Sequence, residues 1–293
     1  MTLIITAVTP SYVMMASDRR LSRDKDVISE DAGKAGFIQA ADGTALYAYT
    51  GLARLGRFDA REWIQSALID SASSTLNETL HKFAEVAGRK FGNLTYRGHG
   101  LTLAVAGFSS HVGQFMGAVS NLENADGSFL ERPSRDFVTR IMISPAEKPG
   151  SLSGVMVNGY NQGEYLAELA ELNRLVLTNA PAQGTGQKAV QLIRTLADHP
   201  HTGNTVGKNV MRAILQAPAQ DAPVSIPSAL YSGFEEADRV YLLDMIDLRQ
   251  NAGIAVRDIQ LVFEEGSQLP RNIGRNERCF CGSSIKYKYC HGR

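Results

Sequence analysis

The first 278 of the 293 residues contain no cysteine, and all three cysteines lie close to the C-terminus. Disulfide bonds therefore do not hold the main body of the protein together, and no cysteine in that body can act as a nucleophile. The pattern Gly-x-Ser-x-Gly, which presents the serine of many hydrolases on a sharp turn, is also absent. If the body is an enzyme, its nucleophile is neither a cysteine nor a serine of that kind.

The sequence also lacks a net charge and a long apolar run. Thirty basic residues balance thirty acidic ones, so the overall charge does not point to DNA or to an anionic membrane as a partner. No apolar segment approaches the roughly 20 residues that span a bilayer, and the N-terminal segment lacks the pattern of a secretory signal peptide. With 44% apolar residues, the chain can bury a full core. We expect a globular, cytoplasmic protein that does not bind DNA.

Groups of strand patterns alternate with groups of helix patterns along most of the chain. Two capping boxes, which begin at Asp59 and Thr75, predict the starts of two amphipathic helices. Later apolar periodicity predicts two more helices, at 163–177 and 186–197. Strand patterns occur at 2–8, 12–17, 34–39, 46–50, 101–108, 112–120, 137–143, 153–158, 208–215, 239–246 and 254–263.

Runs of like elements do not form repeated βαβ units. They suit two antiparallel sheets that pack face to face, with a pair of helices on each outer side. The sequence therefore predicts an α+β protein with a four-layer αββα sandwich over residues 1–263. A polar stretch punctuated by Gly266, Pro270 and Gly274 indicates a linker at 264–275, which leaves a small module at 276–293.

The start of the chain carries the elements of a catalytic site. Thr2 follows Met1, and removal of this methionine would place a free α-amine beside the threonine hydroxyl. A hydroxyl is a poor nucleophile until a base takes its proton, and an α-amine with a pKa of roughly 7.7–8.0 can act as that base. A fixed cation nearby would keep the amine neutral, and an acid would hold that cation in place.

Three further residues are candidates for this site. The predicted hairpin returns Asp18 to the level of Thr2, and Lys34 opens the next strand. Gly51 ends the fourth strand, where a backbone without a side chain can approach a substrate and offer its N–H to an oxyanion. The four residues are expected to meet at one edge of one sheet. Taken singly, each has a simpler interpretation, because Asp18 can cap a loop, Lys34 can be a solvated strand start and Thr2 can merely begin a strand.

Together these positions resemble the proteasome-type subunits of the N-terminal-nucleophile (Ntn) hydrolases, including the bacterial ATP-dependent proteasome-like peptidase. The likeness rests on Thr2, Ser17-Asp18-Arg19, Gly33-Lys34 and Thr50-Gly51, and it covers roughly residues 2–263. It implies that Thr2 is the nucleophile and, through its amine, the base. It further implies that Lys34 tunes the amine, that Asp18 orients Lys34 and that Gly51 supplies the oxyanion donor. A homo-oligomer, such as a ring, is implied as well.

Some positions depart from the pattern of that family. Asn158-Gly159 stands where the family usually has a serine before a glycine. Thr202 and Thr205 precede Val206-Gly207, where the family has an aspartate before a Ser-Gly-Gly. The resemblance makes Asn158, Thr202 and Thr205 supporting residues of the site, together with the Arg19 that follows the aspartate.

The C-terminal segment contains four metal-binding side chains at close spacing. Cys279 and Cys281 can hold one metal from a tight turn, and Cys290 and His291 can complete the tetrahedron that zinc prefers. A segment this short cannot fold by apolar burial alone, so the metal would supply its folding energy. Four protein ligands leave no open coordination position, which indicates a structural zinc. The alternative is a cysteine-rich tail without a metal.

The same segment closely resembles the SEC-C motif, which ends the bacterial preprotein-translocase ATPase and is appended to many unrelated proteins. GRNERCFCGS and YKYCHG match the motif, although Phe280 replaces its usual proline and Ser284-Ile285 replaces a Gly-Lys. The resemblance implies a structural Zn²⁺ and a basic surface that binds a protein partner or the ribosome. Residues 271–293 carry six basic side chains and one acidic one.

Two other segments have a simpler explanation than a binding site. Residues 184–189, GTGQKA, match a dinucleotide-binding pattern, but no clear strand leads into them, so they indicate a helix start. Asp198, His199 and His201 can bind metals, but Pro200 separates the two histidines, which indicates a helix exit.

The function predicted from the sequence is hydrolysis of an amide or peptide bond through an ester on Thr2, with a zinc-bound tail that docks a partner. Two alternatives stay open. One is a catalytically inactive proteasome-like scaffold that acts as an adaptor through its SEC-C module. The other is an Ntn amidohydrolase of the same fold that acts on small amides.

Overall fold

The computed structural model describes residues 2–23, 26–96, 98–144, 148, 151–159, 166–218, 228–232, 241–249 and 253–261. The α-helices in these ranges are α1 Ala60–Asp70, α2 Leu76–Tyr96, α3 Leu166–Leu177 and α4 Ala182–Ala197. The strands are β1 Leu3–Val8, β2 Tyr12–Asp18, β3 Leu21–Arg23, β4 Asp26–Ser29, β5 Ala35–Ala40, β6 Gly43–Gly51, β7 Arg54–Leu55, β8 Phe58–Asp59, β9 Leu101–Ser109, β10 Gly113–Ser120, β11 Val138–Ile143, β12 Gly154–Gly159, β13 Val210–Gln216, β14 Ser228–Ser232, β15 Tyr241–Asp247 and β16 Ile254–Leu261.

Two large sheets organise the fold. The five-stranded sheet has the order β12-β1-β2-β13-β14, and the seven-stranded sheet has the order β11-β10-β9-β6-β5-β15-β16. Neighbouring strands are antiparallel, as expected, except that β15 runs parallel to β5. The strand before β15 belongs to the other sheet, so no hairpin with β5 dictates its direction.

Three apolar clusters separate four layers. Helices α1 and α2 pack on the outer face of the seven-stranded sheet, with Phe83 and Phe91 in that cluster. Helices α3 and α4 cover the outer face of the five-stranded sheet in the same way, with Leu172 and Ile193. A third cluster, which includes Ile4, fills the space between the sheets. The mixed α and β class and the αββα layering predicted from the sequence are both present.

Strand β1 is buried on both faces, which explains the apolar run at the start of the sequence. Leu3 and Ile5 pack with the helices outside the five-stranded sheet, whereas Ile4 and Val8 face the other sheet. A strand that is covered on both faces is apolar throughout rather than alternating. Since β1 lies between β12 and β2 in its sheet, the backbone directly after Thr2 is held in the centre of the fold.

The predicted helix starts of the first pair are confirmed. The Asp59 carboxylate accepts hydrogen bonds from the backbone N–H groups of Arg61 (2.9 Å) and Glu62 (3.4 Å), which caps α1. The Thr75 hydroxyl accepts one from the N–H of Glu78 (3.2 Å) at the start of α2. Such side-chain oxygens satisfy N–H groups that have no partner inside the helix.

The remaining boundaries differ in two respects. Helix α4 begins at Ala182, four residues before the predicted start, so GTGQKA lies inside the helix. Glycine is a poor helix former, and the two glycines of this segment interrupt the apolar periodicity from which the helix start was predicted. Strand β14 and the ribbons β3–β4 and β7–β8 were not predicted from the sequence, because strands of two to five residues carry too little pattern.

Within the described residues, no helix is long and apolar enough to cross a membrane. The predicted linker at 264–275 and the proposed zinc ligands Cys279, Cys281, Cys290 and His291 lie outside the described residues.

The inter-sheet core predicts a clear difference between two isoleucines. Ile4 is 0% exposed between the sheets, whereas Ile254 is 49% exposed on β16. We expect Ile4→Ala to lower the free energy of unfolding by about 2–5 kcal/mol, because it leaves a cavity that the two sheets cannot close. Ile254→Ala serves as the matched control and should cost less than about 1 kcal/mol. Equal losses in urea unfolding would contradict this packing.

Candidate active site

The side chains of Thr2, Asp18 and Lys34 meet between the two sheets. The Lys34 ammonium donates to the Thr2 hydroxyl, with 2.6 Å between Nζ and Oγ1. The same Nζ lies 3.4 Å from Oδ2 of Asp18. All three residues are at most 5% exposed. The structure thus places the hydroxyl, the cation and the carboxylate in one contiguous, buried arrangement.

Asp18 is held in place by backbone donors from three segments. Its Oδ1 accepts the N–H of Leu3 at 2.8 Å, and its Oδ2 accepts the N–H groups of Arg20 at 3.0 Å and Gly207 at 3.2 Å. Asp18 is 0% exposed at the end of β2, which pairs with β1. The carboxylate therefore holds both the start of β1 and the ammonium of Lys34.

Lys34 uses all of its donors within the site. Besides Thr2 and Asp18, its Nζ donates to the backbone carbonyl of Arg20. A lysine ammonium has three N–H donors, which these three oxygens satisfy. Burial lowers the pKa of Lys34 below its ordinary value of 10.5, and the Asp18 carboxylate opposes this shift. The ammonium thus carries a desolvation cost that its three acceptors offset.

Thr50 is a member of the site to which the sequence analysis assigned no role. Its Oγ1 accepts the backbone N–H of Thr2 at 3.1 Å and donates to the backbone oxygen of Thr2 at 3.0 Å. Thr50 is 3% exposed on β6 of the seven-stranded sheet, so one hydroxyl links that sheet to the residue before β1. The feature of the sequence that could have indicated Thr50 is its position directly before Gly51, a candidate residue of the site.

Two glycines leave room around this link. Gly51 has φ +103°, and a Cβ there would lie 2.2 Å from the backbone oxygen of Gly100. Gly159 has φ +94°, and a Cβ there would lie 1.7 Å from the backbone oxygen of Thr2. Both positions therefore exclude a side chain, by conformation and by space. Gly51 is exposed, so the site opens to solvent on its side.

Asn158 lies on β12 opposite Ile4, and its side chain reaches the space between the sheets. Its Nδ2 donates to Oε1 of Glu123 at 3.3 Å, and Arg140 donates to the other oxygen of Glu123 at 2.8 Å. The Oδ1 of Asn158 has no hydrogen-bond partner among the described residues, although Asn158 is 1% exposed. Because side chains alternate along a strand, Thr2 lies on the same face of the chain as Ile4. Asn158 is thus a neighbour of Thr2 on that face.

The other expected supporting residues have local contacts. Arg19 donates to the backbone oxygen of Asp31 at 2.9 Å. The hydroxyl of Thr202 donates to the backbone oxygen of His199 at 2.9 Å, and that of Thr205 donates to the backbone oxygen of Thr202 at 2.6 Å. The group that reaches Asp18 from the segment after Thr205 is the backbone N–H of Gly207.

Comparison with known families identifies the C-terminal segment. Residues 275–293 match the SEC-C motif family, which confirms that prediction. Protein translocase subunit SecA of Verminephrobacter eiseniae is 32% identical over 114 residues, which is 39% of this chain and 12% of that protein. SecA of Methylibium petroleiphilum is 30% identical over 134 residues, which is 45% of this chain and 13% of that protein. The chain therefore spans about an eighth of the length of these relatives.

Comparison with solved structures identifies the fold of the body. The Anbu (Gly-1) mutant from Hyphomicrobium sp. strain MC1 superposes with a TM-score of 0.50 at 11% identity, covering 80% of this chain and 89% of that one. Anbu (ancestral beta-subunit) from Yersinia bercovieri gives a TM-score of 0.47 at 14% identity, covering 74% and 81%. The Hyphomicrobium match shows a shared fold, which is consistent with the proteasome-type resemblance of the sequence.

The close approach of Gly159 to Thr2 can be tested by adding one methyl group. We expect Gly159→Ala to lower the free energy of unfolding by more than Gly56→Ala, because its Cβ collides with the Thr2 backbone oxygen. Gly56 has φ +58° and nothing within 4 Å of a Cβ, so it is a control for backbone strain alone. The strain should cost about 1–2 kcal/mol, and the collision about 1–3 kcal/mol more. Equal losses in chemical denaturation would refute the contact.

Proposed function

We propose that the protein is a threonine-type Ntn hydrolase that cleaves amide bonds of peptides. The proposal is carried by the 2.6 Å hydrogen bond from Lys34 Nζ to Thr2 Oγ1. Hydroxyl, cation and carboxylate lie together in a buried site, as a nucleophile activated by its own α-amine requires. The fold shared with Anbu supports this assignment.

The reaction begins after loss of Met1 has exposed the α-amine of Thr2. The neutral amine takes the proton of the Thr2 hydroxyl while Oγ1 attacks the substrate carbonyl, and the backbone N–H of Gly51 stabilises the oxyanion that forms. The resulting ammonium returns the proton to the leaving amine, and an ester on Thr2 remains. Water, deprotonated by the same amine, then attacks the ester, and the ammonium returns the proton to Oγ1 of Thr2 as the acid product leaves.

Lys34 and Asp18 act on this amine and hydroxyl. The Lys34 ammonium lowers the pKa of the nearby amine by charge repulsion and favours the developing alkoxide by donating to Oγ1. Asp18 holds the ammonium at that position. The Oδ1 of Asn158, which is buried and has no partner among the described residues, is an acceptor for an N–H of the mature amine. Arg19, Thr202 and Thr205 support the site through the loops that carry them.

An adaptor function that does not require catalysis is the second candidate. The SEC-C match at 275–293 favours it, because the resemblance to this motif implies a basic surface that binds a partner. In this alternative the sandwich is a scaffold and the basic C-terminal segment binds a protein or ribosomal partner. A homo-oligomer of the body is compatible with both functions.

The hydrolase proposal is tested by mass spectrometry. The mature chain should begin at Thr2 and should react with a peptide α′,β′-epoxyketone, whose ketone takes the hydroxyl and whose epoxide takes the amine of one residue. The adduct then gains the full mass of the probe. Thr2→Ala should abolish the adduct. Lys34→Met should slow its formation by about 10²–10⁴-fold, because the amine loses the cation that lowers its pKa and the hydroxyl loses its hydrogen-bond donor.

Arg61→Met is the control for removal of a cation near the same strands, because Arg61 binds Asp244 outside the site. It should leave the rate of adduct formation within a few-fold of the wild type. A purified chain that retains Met1, or that begins at Thr2 but forms no adduct, would refute the hydrolase proposal and leave the adaptor function.

We further propose that Cys279, Cys281, Cys290 and His291 bind one structural zinc ion. Three thiolates and one imidazole are a donor set that zinc binds tetrahedrally. Elemental analysis of the purified protein should give one zinc per chain, and Cys290→Ser should remove it. Tyr289→Phe is the neighbouring control and should retain the metal. If Cys290→Ser retained a full equivalent of zinc, this ligand set would be wrong.

A further inference from the structure

We infer that Thr50 is a positioning residue of this site, which holds the α-amine of mature Thr2 with its lone pair directed at the hydroxyl. The inference rests on the proposed function, because it assigns a role in activating that amine. It adds to the site a residue for which the sequence pattern assigned no chemistry.

The Thr50 hydroxyl is bonded only to the main chain of Thr2 among the described contacts. It donates its one hydrogen to the Thr2 backbone oxygen and accepts from the Thr2 nitrogen. Because that hydrogen is already used, Thr50 cannot donate to the amine and cannot occupy its lone pair. One N–H of the amine points at Thr50, and the lone pair is left for Oγ1 of Thr2.

The same contact sets the position of the nucleophile relative to the oxyanion donor. Thr50 and Gly51 are consecutive at the end of β6, whereas Thr2 directly precedes β1 of the other sheet. The two hydrogen bonds from Thr50 therefore fix the Thr2 backbone against the strand that carries the Gly51 N–H. Gly159 provides the space, since a Cβ there would lie 3.0 Å from the Thr50 hydroxyl as well as on the Thr2 oxygen.

A neighbouring threonine separates this role from an ordinary sheet contact. Thr102 is the partner of Thr50 in the antiparallel pair β6–β9, and Ser120 is the partner of Thr102 in β9–β10. The three hydroxyls face the other sheet from adjacent strands, but Thr102 bonds to Ser120 at 2.7 Å. Both threonines are 3% exposed, so Thr102→Val is a matched control for Thr50→Val.

The expected effect has a defined sign. Accepting a hydrogen bond from an ammonium favours the charged form, so removal of the Thr50 hydroxyl lowers the pKa of the mature amine. The amine works when neutral, and activity rises as pH rises through this pKa. The acid limb of the pH profile should therefore move to lower pH in Thr50→Val. The maximal rate should fall about tenfold, as expected for the loss of one well-placed hydrogen bond.

The experiment follows the rate of peptide α′,β′-epoxyketone adduct formation against pH and probe concentration. Thr50→Val should lower the maximal rate and shift the acid limb, while the probe concentration at half-maximal rate stays unchanged because the buried hydroxyl does not reach the probe. Thr50→Ser keeps the hydroxyl, so its maximal rate and the acid limb of its pH profile should match those of the wild type. Thr102→Val should match the wild type.

Each outcome decides between the inferences. A wild-type chain that forms no adduct refutes the proposed function and, with it, the role of Thr50. A reactive wild type with an unchanged Thr50→Val profile refutes the role of Thr50 alone, and so does an equal loss in Thr102→Val. If circular dichroism shows that Thr50→Val does not fold, Thr50→Ala replaces it in the same comparison.

Discussion

The site depends on one buried cation. The ammonium of Lys34 lies between two sheets, where a charge is costly unless its donors are paired. Its three acceptors come from two segments of the chain: the hydroxyl of Thr2 from the first, and the carboxylate of Asp18 and the backbone oxygen of Arg20 from the second. Because each acceptor is fixed by its own strand or loop, the cation cannot move without losing a partner. The fold thus holds a charge beside the hydroxyl that the proposed chemistry would activate.

The sandwich makes this arrangement possible because its two sheets face each other across the site. Thr2 directly precedes one strand of the five-stranded sheet and Asp18 ends another, whereas Thr50 and Gly51 end a strand of the seven-stranded sheet. Lys34 directly precedes another strand of that second sheet. The apolar cluster between the sheets includes Ala35, which directly follows Lys34. Exposed Gly51 lies at the side from which a substrate can enter.

The comparisons with known proteins describe two different parts of the chain. The body has the fold of Anbu, and the buried side chains of Lys34 and Thr50 contact Thr2. The C-terminal segment matches the SEC-C motif family, and the proposed adaptor function would use this segment to bind a partner. Because the proposed zinc would supply the folding energy of this segment, the proposed docking and the proposed catalysis need not share any residue.

The sequence alone determined the fold class and most of the helices and strands, because apolar periodicity and helix caps act over a few residues. The caps at Asp59 and Thr75 are examples. The spacing of Thr2, Asp18 and Lys34 also predicted a shared site, because a hairpin and the next strand return to the same edge. Only the tertiary structure decided which groups meet there. The hydroxyl of Thr50, the backbone N–H of Gly207 and the carboxylate of Glu123 reach the site or its neighbours from distant segments. The parallel pair β5–β15 arises in the same way, because two strands far apart in the sequence pair through packing that no short stretch of sequence encodes.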